Sequence, residues 1–347
     1  MRFANAPAET GRRHGKNVGA EMKKSLVWGV LLLAAVWAVA ADGNGPPPWA
    51  YPVAAAAQPA PDDGAPKHVP NSSQSFTLSE IRRPYDVPDW HPDEHPPLPE
   101  VVAHGHNPGV RPCGYCHLPN GEGRPENASL AGLPASYIER QVQDFRSGLR
   151  KSSDPHMGPP ANMLLIAKSV DDQDLKVAAE YFSSLQYKPW IKVVETDTVP
   201  KTRVAGGMLV PAGEGSEPIG DRIIEVPEDV TRTELRDSQS GFLAYVPRGS
   251  IEKGKVLVTT GGLTAAGGKI VSGKTTQCGI CHGPDLRGLG SVPRLAGRSP
   301  SYLVRQLYDI QHGNRAGEWD ALMKGVVANL SEDDIVSIVA YISSLKP

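Results

Sequence analysis

Two segments of this 347-residue chain carry apolar side chains at helical spacing. In residues 138–145 and again in residues 303–310, an apolar residue returns at every third or fourth position, which is typical of one face of an α-helix. Gly148 and Gly313 follow these segments and would end the helices. The pattern predicts two equivalent amphipathic helices that each turn an apolar face to a core.

Two further amphipathic helices are predicted nearer the ends of the same regions. Asp171 and Ser331 fit N-cap positions, and each is followed three residues later by an aspartate. Apolar stripes then run to Leu185 and Leu345. The fold class indicated is mainly α.

Two stretches lack this periodicity. Residues 41–88 are rich in proline and alanine and predict an extended or disordered leader. Residues 189–247 predict a linker of short strands or extended pieces, at Ile191 to Glu195, Arg222 to Val226 and Phe242 to Val246.

The helical regions form an internal repeat. Residues 130–150 and 295–315 match at an offset of 165, with ten of 21 positions identical: Leu130, Ala131, Gly132, Ser136, Tyr137, Arg140, Gln141, Asp144, Gly148 and Arg150 in the first copy. The closing helices match at an offset of 160, so the first copy carries five extra residues. This self-similarity predicts two related domains, at residues 89–188 and 248–347.

The distribution of charge is informative mainly near the N-terminus. The formal net charge of -2 shows no basic excess, so nucleic acid is not an expected partner. From Met22 the chain reads as a secretory signal peptide, with two lysines, an apolar run and a small-residue end at Ala40. We therefore expect residues 1–40 to be an extension and signal peptide, with translation starting at Met22 and a periplasmic or otherwise exported product. An uncleaved membrane tether is the alternative.

All four cysteines lie in two Cys-x-x-Cys-His motifs, at Cys113 to His117 and Cys278 to His282. Such a motif suits covalent haem, because Cys113 and Cys116, like Cys278 and Cys281, can bind the two vinyl groups while the histidine faces the iron. His117 and His282 are therefore candidate axial ligands of two haem c groups. A thioredoxin-like dithiol and a structural zinc site are the weaker alternatives.

Methionines are the candidates for the other axial position. Met323 lies eleven residues before Asp334, and Met163 lies eleven residues before Asp174. Met157 is the alternative to Met163, with His156 beside it, because both lie in the five-residue insertion. For each of these methionines, the simpler interpretation is that the side chain only fills a gap in the core.

The order of these motifs resembles the class I c-type cytochromes, and their duplication resembles the two-domain dihaem cytochromes of the c4 type (cytochrome c553-like). The similarity covers residues 105–186 and 250–346. It implies two helical domains with His/Met-bound haems, without substrate chemistry, that pass electrons between redox protein partners such as a membrane-bound oxidase or dehydrogenase. A dihaem peroxidase-like oxidoreductase with one open iron, or a subunit of a larger dehydrogenase or oxidase, is the alternative.

Two departures from that family concern the first copy and the linker. The family has a proline whose carbonyl orients the proximal histidine; Pro293 fits, but Ala128 stands at the matching position. The family's first helix is expected at Ser250 to Val258, with Gly254 close to the final helix near Tyr341, and only weakly at Glu100 to His104. The linker of about sixty residues leaves the relative placement of the haems open.

Overall fold

The first repeat is helical in the computed structural model, which describes residues 45–55, 61–266, 269–271 and 273–347. A short helix of the leader precedes it, α1 (Leu78–Ile81). The repeat itself contains α2 (Glu100–Ala103), α3 (Cys113–His117), α4 (Ala135–Ser147), α5 (Gly158–Ser169) and α6 (Asp172–Ser184). The α4 stripe buries Ile138 and Phe145, and Asp171 caps α6 by accepting from the Asp174 N–H at 2.8 Å. The helices therefore form where the periodicity and the N-cap predict them.

An insert of mixed secondary structure follows. It contains β1 (Ile191–Thr196), β2 (Thr198–Ala205), β3 (Met208–Pro218), β4 (Ile224–Pro227), α7 (Val230–Glu234) and β5 (Phe242–Pro247). The central strand β5 pairs parallel with β1 and antiparallel with β4, and every second residue from Phe242 to Val246 is buried. Strands β2 and β3 form a separate hairpin that the sequence pattern did not indicate.

The second repeat follows the same plan as the first. It contains α8 (Ser250–Thr260), the strand pair β6 (Thr264–Ala266) and β7 (Lys269–Val271), α9 (Gly279–His282), α10 (Pro300–Gln311), α11 (Asp320–Val327) and α12 (Glu332–Ser344). Helix α8 packs along α12 at Gly254, as expected, because a β-carbon at Gly254 would collide with the Ser337 carbonyl oxygen. Its core is formed mainly by α8, α10 and α12.

Where the structure describes it, the leader, expected to be extended or disordered, is irregular chain that packs against the rest of the protein. Ala50 and Tyr51 are buried, and the Tyr51 hydroxyl donates to Asp309 Oδ1 at 2.7 Å. Trp90 is buried against Phe76, with ring centroids 4.7 Å apart, and packs in one cluster with Leu235. The leader is irregular in shape because its anchors are single large side chains rather than a periodic stripe.

The two repeats meet through matched residues. Arg150 donates to the Tyr302 hydroxyl at 3.1 Å and to Gln306 Oε1 at 2.8 Å. Arg315, at the equivalent position, donates to the Tyr137 hydroxyl and to Gln141 Oε1, both at 3.0 Å. The contacts of these two arginines thus mirror each other, which is the pattern of an isologous, two-fold interface.

Within the described part of the chain, no helix has the length and apolar character that crossing a bilayer requires. The signal peptide expected within residues 1–40, including Met22 and Ala40, lies outside the described residues.

Candidate functional site

The first Cys-x-x-Cys-His motif forms α3, and its histidine is fixed by the backbone. His117 is 8% exposed, and its Nδ1 lies 2.8 Å from the Ala128 carbonyl oxygen. A carbonyl oxygen can only accept, so Nδ1 carries the proton and Nε2 keeps a free lone pair. Burial also lowers the pKa of His117, which favours the neutral imidazole that a metal requires.

The second motif repeats this geometry. His282 Nδ1 donates to the Pro293 carbonyl oxygen at 2.8 Å, and burial lowers the pKa of His282 as well. The absence of a proline at position 128 therefore leaves the hydrogen bond intact, because the acceptor is a backbone carbonyl that Ala128 supplies equally well. Both imidazoles present Nε2 with the same tautomer.

A cavity opens beside the first motif. Cys113, Cys116 and His117 line it together with Met163 of α5. Its walls are largely apolar, with Leu133, Ile138, Phe145, Ile166, Leu175 and Phe182 among the lining residues. Two thiols, an imidazole and a thioether around an apolar cavity form the donor set that a covalently bound haem needs, so these residues fit the group.

Met157 and His156 do not line this cavity. The Met157 side chain has 0% exposure and packs with the core of the second repeat, so it fills a gap there. His156 points away from the protein, with 81% of its side chain exposed, and bonds to Asp154 at 3.0 Å. Of the three candidates for the first site, the structure brings only Met163 to the motif.

Met323 of the second repeat lies in α11. It is partly buried and packs against the same hydrophobic cluster as Cys278. Helix α11 thus occupies the position in the second repeat that α5 occupies in the first, and each helix carries a methionine toward the core of its domain.

Four residues of the second repeat also line the first cavity, and the sequence reasoning did not place them there. They are Tyr302, Arg305, Gln306 and Asp309, all on α10. These are four of the ten positions that are identical in the repeat, so the identity itself was the signal. The identity of these positions in the two repeats reflects the interface between the repeats as well as the common helix.

The cysteine thiols carry no sign of dithiol chemistry. Burial raises the pKa of Cys113 to about 12 and that of Cys278 to about 11, whereas a reactive dithiol needs a lowered pKa. All four cysteines are free of disulfides. Among the described residues there is no cluster of three or more histidine, cysteine or acidic side chains able to hold a metal ion, which removes the zinc alternative there.

Comparison with known proteins agrees with this geometry. The family model "Cytochrome c" matches residues 265–346. Cytochrome c-554(548) of Halomonas halodenitrificans is 40% identical over 72 residues, which cover 20% of this chain and 87% of that protein. Cytochrome c4 of Stutzerimonas stutzeri is 26% identical over 241 residues, 68% of this chain and 85% of the relative. A protein named thiosulfate dehydrogenase electron acceptor, from the same species, is 25% identical over 70% of this chain and 82% of its own length.

The fold, the two motifs and these matches define a c-type cytochrome. The chain belongs to the cytochrome c family and is similar over about two thirds of its length to the dihaem cytochromes c4. With two attachment motifs, it carries two haem c groups.

Proposed function

We propose that this protein is an exported dihaem electron carrier, in which His117 and Met163 bind one haem iron and His282 and Met323 bind the other. The observation that carries the proposal is the cavity in which the His117 imidazole and the Met163 side chain line the same apolar space as Cys113 and Cys116. Bound haem supplies a one-electron redox couple, and methionine ligation gives a closed site with a raised potential.

The chain's own residues hold that couple in place. The Ala128 and Pro293 carbonyls fix the two imidazole rings, so the proximal side does not reorganise when the charge changes. Apolar walls keep water from the first site. The mirrored contacts of Arg150 and Arg315 hold the two domains face to face, which favours exchange of electrons between them.

Redox proteins are the proposed partners. One relative is named for accepting electrons from thiosulfate dehydrogenase, which supports a role between an exported dehydrogenase and a terminal acceptor. The peroxidase-like alternative needs an open iron, and the position of Met163 in the first cavity weighs against it.

Absorption spectra of the oxidised and reduced protein, with haem quantification, test the proposal. We expect two low-spin haems that keep their ligands in both states. Met163→Ala should convert one haem to a high-spin form.

Met157→Ala is the matched control. It should lower the free energy of unfolding by about 2–5 kcal/mol, because it leaves a cavity in the core, while both haems stay low-spin. A high-spin haem in the unsubstituted protein, or in Met157→Ala alone, would contradict the assigned ligands.

Export is proposed from the segment that ends at Ala40. N-terminal sequencing of protein recovered from the periplasm should begin at residue 41. A precursor that begins before Met22 would reject Met22 as the start of translation, and a mature chain that keeps residues 22–40 would reject cleavage in favour of a tethered product.

A further inference from the structure

The two motifs differ sharply in how much of their outer face is covered. At the offset of 165, Tyr115 matches Ile280 and Arg124 matches Leu289. Arg124 is 9% exposed, whereas Ile280 is 64% and Leu289 is 61% exposed. Because the two motifs share one sequence plan and one backbone geometry, the difference comes from what other segments place on them.

A strap from the insert, residues 230–240, covers the first motif. The Arg236 guanidinium lies 3.7 Å from the Tyr115 ring centroid and donates to the Tyr115 carbonyl oxygen at 2.7 Å. Asn120 donates to the Ser238 carbonyl oxygen at 2.8 Å, and Arg124 donates to the Thr233 carbonyl oxygen at 3.3 Å. The strap is thus bonded along the length of the motif loop.

The end of the leader and the residues just after it, 87–91, hold the strap in place. The Trp90 indole donates to the Leu235 carbonyl oxygen at 2.7 Å, and His91 Nε2 lies 2.9 Å from Asp237 Oδ1. Val87 Cγ2 lies 3.4 Å from the point where a β-carbon on Gly114 would be, so Val87 packs beside the motif. Beneath these segments Gly114 is buried and Tyr115 is only partly exposed.

The equivalent face of the second motif is an open groove. It runs between the end of α8, the loop 284–287 and the end of α12, with Ile280 on its wall. Its charged lining residues are Asp285, Arg287 and Lys346, all exposed. In the part of the chain that the structure describes, no acidic side chain forms an ion pair with Arg287 or Lys346.

With two basic residues against one acidic residue, the rim of the groove has a net charge of +1 on a protein whose formal charge is -2. The protein as a whole is negatively charged, whereas this rim is positive. An approaching partner with an acidic surface is therefore oriented toward this face. Ile280 on the groove wall, and Leu289, which is exposed two residues after Arg287, add the apolar contact area that a transient redox complex needs.

We propose that the outer face of the second motif, centred on Ile280 and Leu289 and rimmed by Arg287 and Lys346, is the docking surface for a redox protein with an acidic, apolar-centred face. The strap and the leader close the matching face of the first motif, so exchange with that partner takes place at the second haem domain. This inference rests on the proposed electron-carrier function.

The test measures second-order electron transfer to the purified dihaem protein from a reduced acidic blue-copper protein, by stopped flow at low and high ionic strength. Ile280→Glu, and separately the double variant Arg287→Glu with Lys346→Glu, should each lower the low-salt rate constant by roughly tenfold or more and flatten its salt dependence. Matched controls are Val194→Glu on β1 and Lys201→Glu on β2, which should change the rate constant by less than about twofold.

A basic blue-copper protein provides the control on sign: the double charge reversal should raise its rate constant. Reduction by dithionite and the low-spin spectra should be unchanged in every variant. If they are unchanged and the groove variants transfer electrons at the control rates, the docking surface is wrong while the carrier function stands. Absence of two reducible haems in the unsubstituted protein would instead overturn the function. A dimer that Ile280→Glu dissociates would assign the face to self-association and overturn the inference.

Discussion

Asp334 shows how one side chain joins a helix start to two other segments. At the N-terminus of α12 it accepts from the Ser331 hydroxyl and from Lys274 Nζ, each at 2.8 Å, and it forms an ion pair with Lys253 Nζ at 3.1 Å. Burial alone would raise its pKa, but the hydrogen bonds from Lys274 and Ser331 outweigh burial and hold the pKa of Asp334 well below its usual range. The matching Asp174 pairs with His106 alone, at 2.7 Å.

A depressed pKa in the folded state stabilises the protein above the unfolded value near 4, and that stabilisation is lost as pH falls through the lower folded value. Asp334→Asn should therefore lower the free energy of unfolding by about 1–3 kcal/mol at pH 7. The difference from the unsubstituted protein should shrink as pH falls below about 4. Urea unfolding at several pH values measures this, and Asp174→Asn, with one exposed partner, should cost less. An effect of Asp334→Asn that is constant with pH would show that the carboxylate charge is not its source.

Between elements, the closest packing is that of α8 on α12. Gly254 is buried where the α12 backbone crosses it, and a β-carbon there would meet the Ser337 carbonyl oxygen and the Tyr341 β-carbon. Position 254 therefore requires a glycine, because no space is left there for a β-carbon.

Gly254→Ala should lower the free energy of unfolding by about 1–3 kcal/mol, because neither helix backbone can move aside without disturbing the core. Gly325→Ala in α11 is the control, since no atom lies within 4 Å of its β-carbon position. There the better helix propensity of alanine should stabilise the protein by about 0.5–1 kcal/mol. Thermal unfolding of the two variants measures both changes in stability. Equal changes would show that the space for a β-carbon at Gly254 is not limiting.

Elements with a local period could be predicted from the sequence, and the others could not. The stripes at 138–145 and 303–310 fall in α4 and α10, and the three expected extended pieces overlap β1, β4 and β5. The hairpin of β2 and β3 was missed because Pro200 and Pro211 interrupt it, one of them at a shift of register. Proline is tolerated there because each strand has a free edge.

The packing of the leader and of the residues just after it could not be predicted for a different reason. Their buried side chains find partners far along the chain: Trp90 bonds to a residue 145 positions away, and Tyr51 to one 258 positions away. Such contacts leave no periodic trace in the local sequence. At the candidate site, the motifs and the matched methionines were predictable from spacing, whereas the covering of one motif by the strap depends on these long-range contacts.

At the level of the whole molecule, the interface between the repeats explains why certain polar residues recur in both. Tyr137, Gln141 and Arg150, with their counterparts in the second repeat, form one buried network across the boundary. Since each guanidinium bonds across the boundary, neither repeat satisfies its polar groups alone.

A double-mutant cycle measures this coupling. Arg150→Ala and Tyr302→Phe should give a coupling free energy of about 0.5–3 kcal/mol, because the Arg150 guanidinium donates directly to the Tyr302 hydroxyl. Arg150→Ala combined with Tyr181→Phe should be additive, since the Tyr181 hydroxyl bonds elsewhere, to Pro119. Denaturant unfolding followed by haem absorbance supplies the free energies. Additivity in both pairs would show that the two domains are stable independently of each other.

The closure of the strap over the first motif also sets an order of events during biogenesis. Arg236 lies 121 residues after Tyr115, so it emerges from any translating or translocating machinery well after both cysteines of that motif. Until then the thiols of Cys113 and Cys116 are exposed on the growing chain. We therefore expect the first haem to be attached in that interval, whereas the second motif, which no such strap covers in the described part of the chain, should stay open to its haem after the chain is complete.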